Sequence, residues 1–323
     1  MSESSYGWIL RALHANGASF LFMFLFIHVS RGLYFMSFTP PFTWYSGVGL
    51  LFLFIGVSFL GYVLPWGQMS FWGATVITSL LRTVPYAGPR LVSLLWGGFS
   101  VRAPTLSRFF VLHFLIPWAG VVLVLLHFFF LHGTGSSNPL GIARHADKIP
   151  FAPYFSFKDA LAFRGCFRGF LLLAAWAPWA LGDPDNFILA SPLSTPAHIK
   201  PEWYFLFAYS ILRCIPNKLG GVLGLVFSIA VLAVLPSLRL RPRLPRLLFK
   251  PLLAKILFWI WVSSWVVLTF LGGAPVEYPF FELSQLFSAG YFVFLLSYVS
   301  YEFSSRTALA QNLSTPLCVF YDP

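Results

Sequence analysis

Residues 14–28 read HANGASFLFMFLFIH, a histidine at each end of thirteen residues that carry no charge, and residues 113–127, HFLIPWAGVVLVLLH, repeat the same frame. Fourteen residues make four turns at the 3.5-residue period of packed helices. Both histidines of a pair therefore face one way, about 21 Å apart along the axis. Each frame lies in an apolar run that meets the roughly 20 residues needed to cross a bilayer.

The rest of the chain agrees with a membrane setting. Of 323 residues, 58% are hydrophobic and 10% charged, and the mean hydropathy is +0.77, outside the range of ordinary soluble domains. Apolar runs cover 8–34, 42–64, 109–131, 160–181, 218–238, 252–272 and 285–301. They predict an all-α integral membrane protein of about seven transmembrane helices. The net charge of +11 would raise the question of nucleic acid in a soluble protein. Here the basic residues cluster between apolar runs, so they read as an orientation signal and no nucleic-acid partner is expected. Arg144, Lys148 and Lys158, then Arg239, Arg241, Arg243, Arg246 and Lys250, follow odd-numbered spans, so the chain is expected to start outside and end inside. Arg82, Arg90, Arg102 and Arg108 on the other side dilute that bias. No charged-then-apolar leader with a cleavage site precedes the first span, so no secretory signal is expected.

Between the second and third spans, 65–105 is too interrupted to cross the membrane. Its segments 68–81 and 89–97 predict short interfacial helices broken at Pro85–Gly88. A second long connection, 182–217, is rich in proline and carries Asp183, Asp185 and Glu202. Both connections fall on the outer face, and long loops in compact proteins tend to be functional. Spans five to seven hold no histidine and read as scaffold.

Two helices with paired, co-facing histidines can ligate two stacked metal centres. One neutral imidazole from each helix supplies the two axial ligands of a six-coordinate haem iron. A single intramembrane histidine is as often a hydrogen-bonded packing residue; two pairs at equal spacing are not. Cys166, Cys214 and Cys318 form no Cys-x-x-Cys-His, zinc or disulfide pattern, so any haem is held non-covalently. Gly47 and Gly61 repeat the fourteen-residue interval on the second span, where a missing side chain lets a porphyrin face approach the backbone. Generic small-residue helix packing is the alternative. Arg11, Arg31 and Arg108 flank the histidines and are candidate partners for haem propionates, with interfacial snorkelling as the rival.

Four segments carry a resemblance: HANGAS at 14–19, GYVLPWGQMSFWGA at 61–74, GDPDN at 182–186 and PEWY at 201–204. They resemble cytochrome b of the respiratory cytochrome bc1 complex (complex III), from about Tyr6 to the GGAPVE at 272–277. The resemblance implies a haem-binding bundle over 1–181, an outer-face quinol-site loop over 182–217 and three C-terminal transmembrane helices over 218–323. His14 and His113 would ligate the iron of a low-potential haem b near the outer face. His28 and His127 would ligate that of a high-potential haem b near the inner face. Tyr62, Gly73, Pro201, Glu202, Tyr204 and Tyr209 would form the site that oxidises ubiquinol, while His132, Ser136 and Asp159 would surround the site that reduces ubiquinone.

Quinol oxidation releases two protons and two electrons. A desolvated Glu202 suits proton acceptance, and a solvated carboxylate or an ion pair with Lys200 is the alternative. The resemblance further implies a ubiquinol:cytochrome c oxidoreductase that translocates protons, and a Rieske-type iron–sulfur protein, cytochrome c1 and other complex III subunits as partners. It also implies a homodimer in the mitochondrial inner membrane, or alternatively the bacterial plasma membrane.

Departures from the family pattern carry expectations too. The family has a further helix before the first span seen here, so a separate polypeptide is expected to supply an equivalent. Arg164 and Arg168 stand where the family is apolar. A mid-membrane charge costs roughly 2.5–3.5 kcal/mol on insertion scales, so they are expected near the inner interface on anionic lipid or a partner. Ser30 stands where the family has glycine. A split-chain cytochrome b6f type fits less well because His14 through Glu202 are continuous. A transporter or channel would show broken helices or paired mid-span charges, and a structural subunit would not keep all four histidines.

Overall fold

A computed structural model describes residues 4–136, 138, 148–238 and 251–312. Arg144, Arg239, Arg241, Arg243, Arg246, Lys250 and Cys318 lie outside the described residues. Among those described, the chain is helical with no named strand: α1 (Gly7–Tyr34), α2 (Pro41–Val63), α3 (Gln68–Ser79), α4 (Gly88–Trp96), α5 (Ala103–Thr134), α6 (Tyr154–Trp176), α7 (Leu206–Cys214), α8 (Lys218–Val234), α9 (Leu252–Gly273) and α10 (Phe280–Asn312). In hydrocarbon every backbone N–H and C=O must be satisfied within its own segment, which is why apolar runs of this length become helices.

Among the described residues, six helices are long and apolar enough to cross a membrane: α1, α2, α5, α9, α8 with its 3-10 extension to Leu238, and α10 as far as Glu302. The fourth expected span, 160–181, forms a helix of a different kind. It starts at Tyr154 and ends at Trp176, because Pro178 disfavours helical geometry at Ala177. Lys158, Asp159, Arg164 and Arg168 on this helix keep it out of the apolar set.

The two interfacial helices appear as α3 and α4, joined by a 3-10 turn at Leu80–Thr83. They close over a small core of Leu60, Val63, Phe71, Ala74, Val92, Trp96, Val101 and Phe109. The connection 182–217 is more ordered than a loop, since it contains α7. Phe207, Ile211 and Cys214 recur at helical spacing and are buried, with α8, α9 and α10 packed around them. That apolar stripe drives the helix.

α2 runs antiparallel along α5, with Gly47 beside His127 and Gly61 beside His113. α6 runs antiparallel along the outer part of α1, where Asn16 Nδ2 donates to the Pro178 carbonyl at 2.8 Å and Phe20 meets Phe170. On its other side α1 joins the larger core, which includes Phe22, Leu33, Phe207, Ile211, Leu235, Phe258 and Tyr298. The Tyr298 hydroxyl donates to the last-turn Leu33 carbonyl of α1 at 2.9 Å, and Trp44 Nε1 donates to the Leu232 carbonyl at 2.6 Å. These bonds lock the two halves of the chain together at the inner end.

Candidate functional site

The four intramembrane histidines meet as two pairs. His14 and His113 have ring centroids 6.0 Å apart, and His28 and His127 have theirs 6.4 Å apart. A metal–imidazole bond is about 2 Å, so two imidazoles on opposite sides of one ion place their centroids roughly 6 Å apart. Both pairs fit that separation. Their rings cross at 81° and 69°, which is compatible because each ring plane contains its own metal bond and is free to turn about it.

Hydrogen bonds to Nδ1 of each α5 ring leave Nε2 as the nitrogen available to a metal ion. His113 Nδ1 lies 2.8 Å from the Val57 carbonyl, which can only accept. The ring proton therefore sits on Nδ1, and Nε2 keeps its lone pair. His127 Nδ1 lies 3.0 Å from Ser46 Oγ, whose own proton goes to the Thr43 carbonyl at 2.9 Å, so this imidazole is fixed the same way. Such outer partners orient metal-binding histidines and raise their basicity. Among the described residues no three His, Cys, Asp or Glu side chains cluster for a metal ion. Paired axial ligands suit a group that brings its equatorial ligands with it, as haem does.

The glycines act on these imidazoles. A Cβ at Gly61 would stand 2.9 Å from His113 Nδ1, and one at Gly47 would stand 3.2 Å from His127 Cε1. The sequence suggested room for a porphyrin face. Here it is the α5 imidazole that fills the space beside each glycine.

The three candidate propionate arginines are placed differently from one another. Arg108 donates to the Leu94 and Leu95 carbonyls at 2.5 and 3.4 Å and so caps α4. Arg11 stacks over Trp179 and Phe187 at 5.6 and 5.5 Å. Arg31 is exposed in the last turn of α1.

At the outer face the two long connections are clasped together. Gln68 Nε2 donates to the Ser194 carbonyl, and its Oε1 accepts from Ser191 N, both at 2.9 Å. Asn186 Oδ1 accepts from Ser70 N at 2.8 Å. Ser70 Oγ also reaches the Tyr62 carbonyl at 2.6 Å and Asn186 Oδ1 at 2.9 Å. At Gly67 a Cβ would collide with the Asn186 carbonyl. Asp183 accepts from Asp185 N at 2.9 Å, capping the turn Pro184–Phe187, and pairs with Lys200 at 3.2 Å. Lys200 is thus drawn to Asp183 and not to Glu202.

Beside these contacts, Tyr62, Glu202 and Tyr204 come within electrostatic reach of one another. Tyr204 stacks on Phe22 at 4.2 Å and 7°, while Trp203 Nε1 donates to Ser19 Oγ at 3.1 Å, so the PEWY turn is seated on α1 between the two histidine levels. Burial pushes the Glu202 carboxyl up to about 7, with the Asp183 charge adding to it. Burial, then Glu202 and then Tyr62 push the Tyr204 phenol well up. Pro201 is half-buried, and the space beside Gly73 is open. Tyr209 stands slightly apart: its hydroxyl donates to the Ile199 carbonyl at 3.2 Å, and the Arg213 guanidinium lies 4.6 Å over its ring.

The inner-face residues are not joined. His132, Ser136 and Asp159 are all exposed, and among the described residues no hydrogen bond or ion pair links them. Sequence reasoning missed Ser46, Gln68, Ser70, Asn186 and Phe22. The polar ones had a signal, each being a hydrogen-bonding residue inside an apolar span or a quoted motif; Phe22 had none.

Comparison with known proteins follows the same division of the chain. Residues 1–135 match the family described as Cytochrome b/b6/petB, and residues 189–292 match Cytochrome b(C-terminal)/b6/petD. A solved chain titled "Hyperthermophilic respiratory Complex III" is similar at 31% identity and a TM-score of 0.85, over 94% of this chain and 82% of that one.

Proposed function

This chain belongs to the cytochrome b family, and we propose that it is the two-haem b-type subunit of a quinol:cytochrome c oxidoreductase, oxidising quinol at the outer face and reducing quinone at the inner face. Both family matches and the likeness to a respiratory complex III chain support a bc1-type cytochrome b role in a multisubunit membrane complex. The observation that carries the two-haem reading is the pair of imidazole pairs at 6.0 and 6.4 Å, with Nδ1 of both α5 rings committed to protein acceptors. His14 with His113, and His28 with His127, would hold the irons. When bound, the two haems supply one-electron carriers at two levels of the bundle.

The chain's own residues do the rest. Glu202, with a carboxyl near pH 7, takes a proton from a quinol hydroxyl and releases it outward. Tyr62 and Tyr204 line the pocket, and the stack on Phe22 fixes the second of them. The Gln68–Ser70–Asn186 clasp keeps the pocket walls together and water out. His132, Ser136 and Asp159 bind the quinone oxygens and deliver protons at the inner ends of α5 and α6. The family resemblance supports ubiquinone as substrate, and a Rieske-type iron–sulfur protein and cytochrome c1 as partners. It also supports a homodimer and a mitochondrial inner or bacterial plasma membrane location. Both matched family regions also include b6-type chains; their presence on one continuous chain supports the bc1 type.

A redox titration of the purified complex, followed in the b-type α-band, tests the reading. Two one-electron components are expected, and the absence of b-type absorbance would overturn it.

A further inference from the structure

We infer that the inner half of α6 is the docking face for a transmembrane helix of another polypeptide, one that presents carboxylates to Arg164 and Arg168. α6 is held through its outer half alone, by the Asn16–Pro178 hydrogen bond, the Phe20–Phe170 contact at 5.3 Å and buried Ala174. Every residue from Tyr154 to Gly169 is exposed. Neither guanidinium takes part in a hydrogen bond, ion pair or ring contact with any described residue; the ion pair at the outer mouth joins Lys200 to Asp183.

Depth makes this situation costly. Phe170 rests on Phe20, which lies between the levels of His14 and His28, so Arg168 sits near the middle of the bundle and deeper than the inner interface. Counted from Asp159 in the charged first turns, Arg168 is about 14 Å along the helix, roughly half of a hydrocarbon core of about 30 Å. An arginine side chain cannot snorkel that far, and an intramembrane charge without a partner calls for one.

The face has a shape as well as a charge. At 100° per residue, Arg164, Gly165, Arg168 and Gly169 turn away from Phe170 and Ala174, which meet α1. A Cβ at Gly165 or Gly169 would meet nothing within 4 Å. Glycines four residues apart allow a second helix to approach closely, with the arginines along one rim. A second copy of this chain docked symmetrically would set arginine against arginine. Lipid phosphates stay in the interface, above the level of Arg168. A helix bearing Asp or Glu at matching depth satisfies both charges. The inference is independent of the redox chemistry.

The test is photo-crosslinking in the intact complex in its membrane, with p-benzoylphenylalanine replacing Leu161, which is 74% exposed one turn before Gly165. The same probe at Leu223 of α8, 59% exposed, is the control. The expected result is one integral-membrane polypeptide captured from position 161 and not from 223, joined close to an acidic residue within an apolar stretch. Arg164→Gln with Arg168→Gln is expected to lower the yield roughly tenfold, while the Lys pair keeps most of it. Where the Gln pair does not accumulate, Arg168→Gln alone is read with the same expectation. Adducts with lipid only, with a second copy of this chain, or with a polypeptide whose capture ignores the charge would each overturn the inference.

Discussion

The outer and inner candidate sites of this molecule are built in opposite ways. At the outer end, hydrogen bonds through Gln68, Ser70 and Asn186 tie the Tyr62 end of α2 to residues 186–194, more than a hundred residues away, and the stack of Tyr204 on Phe22 seats the PEWY turn with Glu202 on α1. At the inner end, His132, Ser136 and Asp159 stand exposed, and among the described residues no hydrogen bond or ion pair joins them. This chain's own hydrogen bonds preorganise the outer candidate site, whereas among the described residues none joins the inner one. Preorganisation concentrates the effect of a single substitution, so the two ends are expected to respond unequally.

The largest difference is expected at Glu202. Its carboxyl, raised to about 7, is protonated below that pH and can no longer accept, so quinol oxidation should fall as pH drops through 7. Glu202→Gln should lower the rate by roughly 10²–10³-fold and abolish that limb; an unchanged limb in steady-state assays would assign the base elsewhere. Next in size are the glycines. Gly61→Ala places a Cβ 2.9 Å from His113 Nδ1, closer than Gly47→Ala comes to His127 at 3.2 Å. Haem content measured by absorbance should therefore drop more in the first than in the second. Ser46→Ala, which frees His127 Nδ1, should weaken haem retention about 10–100-fold.

Asn186→Ala is a middle-sized effect. It leaves the Ser70 amide without its acceptor at a cost of about 1–3 kcal/mol, and should speed amide exchange in 182–194 and raise KM more than it lowers kcat. The smallest effect on the outer reaction is expected from His132→Ala and Asp159→Asn, at less than about twofold for sites this far apart, while quinone reduction from the inner face slows. Equal losses at both ends would remove the distinction.

What was legible in the sequence follows the same boundary. The histidine frames and the Gly47–Gly61 interval could be read because a helix turns a linear interval into a direction and a depth. The interfacial helices were readable from the break at Pro85–Gly88. α7 was missed because nine residues inside a proline-rich connection show only two turns of periodicity, and its stripe of Phe207, Ile211 and Cys214 makes sense only once α8 and α9 are beside it. The stack of Tyr204 on Phe22 and the pairing of Asp183 with Lys200 were not legible, because they join loops to spans that share no local pattern. The register of Arg168 against α1 was not legible, because it follows from one contact between distant segments, Phe20 with Phe170.

The proposed function rests on two imidazole pairs each taking one haem. Its most direct test is the number of non-covalent b haems per chain in the purified complex, measured as the pyridine haemochrome. Two per chain is the predicted result, and one or none would contradict it.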